Sequence, residues 1–261
     1  MKTLKTLKTL KIFTNILFIL SIPIFLITTN TRLLINSPFV YSMEFNKMDI
    51  ASKTNIEKQE LLSISQQIRS YFNNNQNYLN IETFIDGIKQ PLFNDREISH
   101  MLDVKKLVKT TYSTQLITGF FLALMFAIDF IFRKKTLKRN LFWGALITVT
   151  GIILVGIGVL FSFDQIFILF HQLSFTNDLW ILDPSKDYLI KIFNPESIQA
   201  PFLFIQLIPS FSLKPRKHFF HFGSHNRVNF PITCTKMKTY LKQNPQFKHN
   251  INIFHSIISK F

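Results

Sequence analysis

The chain is 261 residues long and carries 30 Lys and Arg against 15 Asp and Glu, a formal charge of +15 at neutral pH. Only 17% of its residues are charged, against about 25% in soluble chains, and its 47% hydrophobic residues are gathered into blocks, which excludes an ordinary soluble enzyme. Thirty Phe and seven Gly exclude collagen-like and disordered classes, and one Cys excludes a disulfide framework or a Cys-based zinc or iron–sulfur site.

The first element is a Lys-rich start (Lys2, Lys5, Lys8, Lys11) followed by an apolar run from residue 12 to 29, interrupted by Asn15, Ser21 and Pro23. The run is longer than a signal-peptide core, and no A-x-A-like site follows it, so it is expected to remain as a first membrane span after a basic N-terminus at 1–11. From 36 to 110 the chain is polar and predicts a mostly helical extracytoplasmic loop domain. Within it, Leu61, Ile64, Ser65, Ile68, Tyr71 and Phe72 recur at helical period between Glu57 and Phe72. Asn73, Asn74, Asn75 and Asn77 end that helix, Tyr78 to Ile85 alternates weakly, and Gln90-Pro91 is a turn signal. Asn94 with Glu97 predicts a capping box opening a helix whose outer face carries Lys105, Lys106 and Lys109.

Residues 112–132 have the length of a second span, with a lone acid at Asp129. Residues 133–140, basic at five of the first seven positions, are expected to form a cytoplasmic loop before a third span at 141–163. An aromatic extracytoplasmic segment at 164–198 follows, with Trp180 at the membrane interface and a short helix capped by Asp183-Pro184 and running to about Phe193. Residues 199–213 are apolar but short and contain Pro209, so a truncated fourth span is left open there. The tail at 214–261 is basic, with no acid after Glu196. The expected class is therefore an all-α polytopic membrane bundle with three clear spans. If the basic clusters all face the cytoplasm, the N-terminus is inside and residues 36–110 and 164–198 are outside.

That topology brings two distant histidines to one membrane surface: His100 just before the second span and His171 just after the third. His100 and Asp103 stand three apart on one helix face, where the acid is placed to orient the imidazole. Read alone, each His is as well explained as a satisfied interfacial ring; together at one surface they form a candidate acid–base pair. Asn177, Asp178, Asp183 and Asp187 cluster after His171, and most read as caps or solvated loop residues. No G-x-S-x-G or H-E-x-x-H run is present, and Cys234 and the tail histidines His218, His221, His225, His249 and His255 lie in the basic segment. Acid–base chemistry without a covalent nucleophile is favoured; a metal-dependent hydrolase and a non-catalytic, lipid-binding or regulatory membrane protein remain as alternatives.

The motifs Tyr78-Leu-Asn80, Glu97-Ile-Ser-His-Met-Leu-Asp-Val-Lys105, Phe170-His-x-x-x-Phe175, Asn177, Trp180 and Asp183-Pro-x-x-Asp187-x-Leu-Ile190 resemble the lipoprotein intramolecular transacylases, small four-span bacterial membrane proteins. The resemblance covers roughly residues 10 to 195. It implies transfer of the sn-2 acyl chain of a diacylglyceryl-cysteine lipoprotein onto that cysteine's own α-amine, giving a lyso-form lipoprotein. His100 and His171 would be the catalytic pair, supported by Asp103, Asn177, Asp178 and Trp180. The expected partners are the lipoprotein N-terminus and membrane lipid, with no cofactor, metal or nucleic acid. After Phe193 the chain departs from the family pattern: Phe193-Asn-Pro195 and the Pro-broken stretch replace the Phe-Pro turn and full fourth span that the resemblance implies.

Overall fold

Three long apolar runs without paired helix breakers become three long helices, and the polar stretch between the first and second becomes a small domain with its own core. The structure, a computed structural model, describes residues 2–85 and 87–193; the open fourth crossing and the basic tail lie outside the described residues. In chain order the elements are α1 (Lys2–Asn36), α2 (Pro38–Lys47), α3 (Ile50–Thr54), α4 (Lys58–Asn73), β1 (Glu82–Ile85), β2 (Ile88–Pro91), α5 (Asp95–Phe132), α6 (Lys134–Ser174) and α7 (Tyr188–Ile192). Parts of α1, α5 and α6 are long and apolar enough to cross a membrane.

The helices overrun the expected spans. α1 starts among the N-terminal lysines and passes through Pro23 without ending. α5 is 38 residues, about 57 Å, nearly twice the roughly 30 Å hydrocarbon thickness. Its first four turns hold Arg96, Glu97, His100, Asp103 and Lys105, whereas its apolar part begins at Leu116. The basic stretch read as a loop is instead the first two turns of α6. Arg133 alone connects the helices at φ −140°, ψ 47°, tied back to Asp129 by its backbone N–H and by an ion pair to the fully buried carboxylate.

α1 packs along both α5 and α6. At one end Phe18 meets Met125 and Leu137, beside a buried Asn140 Nδ2 to Asn15 Oδ1 hydrogen bond of 3.2 Å. Two glycines set the approach: a Cβ on Gly119 would fall 2.8 Å from Phe25, and one on Gly144 would collide with Ile22. Gly144→Leu is therefore expected to destabilise the bundle by about 1–3 kcal/mol, as overpacking does, read as a lower thermal unfolding midpoint in detergent. An unchanged midpoint would show that α1 does not lie there.

In the extramembrane part, the buried face of α4 is Leu61, Ile64, Ser65, Ile68, Tyr71 and Phe72, the six positions of the sequence stripe. The five other than Ser65 share one core with Phe45, Ile50, Ile81, Phe93, Met101 and Leu189, among others. Two details correct the sequence reading. Gln90-Pro91 is not a turn: it ends β2, with Pro91 opposite Glu82 and Ile85 opposite Ile88, so the chain reverses before Ile88, where Gly87 stands at φ 80°. Lys105 is not on the outer face. It is buried, with Nζ donating to Asn74 Oδ1 (2.9 Å) and the Gln76 carbonyl (2.5 Å), and lies 3.9 Å from the Tyr71 ring centroid. The loop after α4 supplies the polar partners that make this burial affordable.

Candidate active site

His100 is aimed by the start of α5. The capping box forms as expected: Asn94 Oδ1 accepts from the backbone of Arg96 and Glu97, and Glu97 Oε2 accepts from Asn94 N at 2.8 Å. Glu97 is 1% exposed, and its other oxygen accepts from Leu189 N at 2.6 Å, fastening the start of α7 to the start of α5. Asn94 Nδ2 adds a 2.8 Å bond to Asp187 Oδ1. One turn beyond Glu97, His100 is buried, and its Nδ1 has no hydrogen-bond partner among the described residues.

His171 comes from the far arm of α6. Ser162 leaves helical geometry (φ −147°, ψ 44°), so the arm after it is a separately directed helical piece. This arm sets the two imidazoles 6.2 Å apart between centroids, with planes 32° apart. Phe175 touches both, edge-on to His100 at 5.2 Å and 5.7 Å from His171. Trp180 lies against His171, its ring tilted by 31° at 4.9 Å, and Phe167, one turn earlier, lies 4.1 Å from it. His171 Nδ1 is 2.7 Å from the Phe167 carbonyl oxygen. A carbonyl only accepts, so Nδ1 carries the hydrogen, and in the neutral ring Nε2 holds the free lone pair. Burial pushes the His171 pKa below the ordinary imidazole value, opposed in part by the Phe167 bond.

The supporting residues take different parts from those the sequence suggests. Asp103 does not hydrogen-bond to His100: its oxygens are taken by Lys106 Nζ and Asn177 Nδ2, each at 2.9 Å. It therefore ties α5 to the segment after His171 and adds a nearby negative charge. Asn177 makes that bridge and also accepts from Leu179 N. Asp178 contributes its carbonyl, which accepts from Arg96 Nη2 at 2.6 Å. Asp183 does not cap a helix. Its side chain accepts from Ser185, and Asp187 Oδ2 accepts from Asp183 N, so residues 183–187 form a turn and α7 starts only at Tyr188. Phe167 and Arg96 stood outside the sequence-based set. Phe167 had a signal, since a ring four residues before His171 shares its helix face; Arg96 had none. Among the described residues no group of three or more His, Cys, Asp or Glu is arranged to hold a metal ion.

Long apolar helices, with two histidine rings close together where α5 begins and α6 ends, define a helical membrane protein. The sequence model of the family described as lipoprotein intramolecular transacylase Lit matches residues 16–197. The chain belongs to that family and is an acyltransferase. Its fold is similar to that of the membrane-integral Lit from Bacillus cereus, with TM-score 0.67 at 17% identity, covering 92% of this chain and 99% of that one. Two variants of the same protein, carrying a histidine-to-arginine and a histidine-to-alanine substitution, each give TM-score 0.65, at 20% and 19% identity. They cover 81% and 80% of this chain and 93% of theirs. No curated protein gives a significant sequence match.

Proposed function

We propose that the protein moves the sn-2 acyl chain of a diacylglyceryl-cysteine lipoprotein onto that cysteine's own α-amine, on the outer face of a membrane whose inner face holds the chain's N-terminus. Because ester and amine belong to one molecule, holding them in attack geometry replaces a bimolecular encounter and lowers the barrier by about 7–11 kcal/mol. No enzyme nucleophile is needed. The amine nitrogen attacks the ester carbonyl carbon, a C–N bond forms, the C–O bond to glycerol breaks, and one proton passes from nitrogen to the departing oxygen.

The observation that carries this reading is the Nε2 lone pair of His171, left to it by the Nδ1 bond to Phe167, on a ring whose centroid lies 6.2 Å from that of a second imidazole. His171 then takes the proton from the amine and returns it to the glycerol oxygen, while His100 donates a hydrogen bond to the oxyanion between the rings. Trp180 and Phe175 hold the rings in place. The Asp103–Asn177 and Arg96–Asp178 bonds keep the two stretches in register.

The test is expression in a host lacking the activity, followed by mass spectrometry of the N-terminal lipopeptide. Transfer within one molecule leaves its mass unchanged, so fragmentation must show the chain moved from glycerol to the amine. Exchange of chains between isotopically labelled and unlabelled precursors would reject the intramolecular route. For pH dependence, kcat/KM is expected to rise until the substrate amine, about 8 in water, is deprotonated. Because burial lowers the His171 pKa, the neutral base survives to lower pH, and the acid limb of kcat is expected below the ordinary value of about 6.5. An acid limb above that value would contradict the role of His171.

A further inference from the structure

α1 and α5 also meet where polar residues interrupt the apolar run of α1 and precede that of α5. On α1 the apolar run gives way to Thr28, Thr29, Asn30, Thr31 and Arg32, and on α5 it begins only after Tyr112 to Gln115. Between them lies a pocket of about 350 Å³ lined by Thr29, Arg32, Leu33, Asn36, Asn73 and Gln115. Its polar frame is held together. Gln115 donates to Thr29 Oγ1 at 3.0 Å and accepts from Arg32 Nη1 at 3.1 Å. Asn36 donates to the Tyr112 hydroxyl at 2.7 Å, and Asn73 donates to Asn36 Oδ1 at 2.7 Å. The Arg32 guanidinium lies 4.6 Å from the Tyr112 ring centroid.

Arg32 is thus oriented but not neutralised. The ion pairs among the described residues are Lys89–Glu82, Lys106–Asp103, Arg133–Asp129 and Lys186–Asp183, and none includes it. Gln115 takes one of the five guanidinium N–H donors, and every polar group framing the pocket is uncharged. A half-buried cation at the edge of an apolar belt calls for an anion. The anion abundant at that depth is a phospholipid phosphate, whose oxygens match the guanidinium fork. Leu33, next to Arg32 and 59% exposed, offers apolar surface beside it.

We propose that this pocket seats the phosphodiester of a phospholipid, with Arg32 as its cation and the lipid chains running along the α1–α5 face. The seat is separate from the histidine pair, because Tyr112 and Gln115 follow His100 by about 18–22 Å along the helix axis. It does not depend on the acyl-transfer reading. The test is native mass spectrometry of the purified full chain with phosphatidylglycerol, with diacylglycerol of the same chains, and with inorganic phosphate. The wild-type protein should retain phosphatidylglycerol where diacylglycerol is lost, and inorganic phosphate should not displace the lipid. Arg32→Gln should weaken retention about tenfold, the loss expected for one charged hydrogen-bonded contact, with Arg32→Lys in between. Equal retention of both lipids by the wild type would overturn the proposal without any variant, as would a folded Arg32→Gln that binds normally. Displacement by inorganic phosphate would overturn the lipid assignment.

Discussion

Replacing His171 by alanine is expected to slow formation of the lyso-form lipoprotein by about a thousandfold or more, the scale lost when a positioned acid–base group is removed. His100→Ala is expected to cost about 100- to 1000-fold, the scale of losing one oxyanion donor. The two roles separate with glutamine. Gln at 100 keeps an N–H that can reach an oxyanion, whereas Gln at 171 has no nitrogen able to take a proton at neutral pH. His100→Gln should therefore retain clearly more activity than His171→Gln in single-turnover lipopeptide assays. The reverse order would exchange the roles, with His171 donating from Nε2 as the doubly protonated ring while its Nδ1 keeps the bond to Phe167.

The largest stability effect is expected at Glu97, a residue with no part in proton transfer. It is buried, and it accepts from two backbone N–H groups, Asn94 and Leu189, that start two helices. Glu97→Ala removes two charge-assisted bonds and leaves both donors buried beside a small void, a loss of about 3–5 kcal/mol. The measurement is the thermal unfolding midpoint in detergent, with hydrogen exchange at the starts of α5 and α7. Glu97→Gln keeps one acceptor oxygen but turns an NH2 toward a donor, so it should lie between wild type and alanine. An alanine variant as stable as wild type would mean that the carboxylate does not join these helices.

What was legible in the sequence was whatever has a short-range period or a local chemical signature. The buried face of α4 matches its stripe residue for residue, because an amphipathic helix over a core encodes burial at 3.6 spacing. The Asn94–Glu97 box is equally local. Gln90-Pro91 carries the local signal of a turn, yet Pro91 is tolerated at the end of an edge strand, and the strands pair with Ile85 opposite Ile88 instead. The helix expected from Asp183 was shortened by a contact no local rule supplies, the Asp187 carboxylate drawing Asp183 N into a turn. The closeness of His100 and His171 is what the sequence suggests once two consecutive spans form a hairpin, because the start of one and the end of the next then lie side by side. The partner of Asp103 did not: an acid three residues from a histidine can reach it, but Asn177, 74 positions away, and Lys106 take its oxygens instead. The state of His171 depends on a hydrogen bond to a carbonyl one turn back, which spacing alone does not reveal.

If His100 and His171 work as one unit, their effects cannot be independent. The most direct measurement is the single-turnover rate of lyso-form production by wild type, His100→Ala, His171→Ala and the double variant, read by lipopeptide fragmentation. The expected result is that both single variants are crippled and the double variant is only a few-fold slower than His171→Ala. Losses that multiply fully in the double variant, or either single variant working at the wild-type rate, would contradict a shared site.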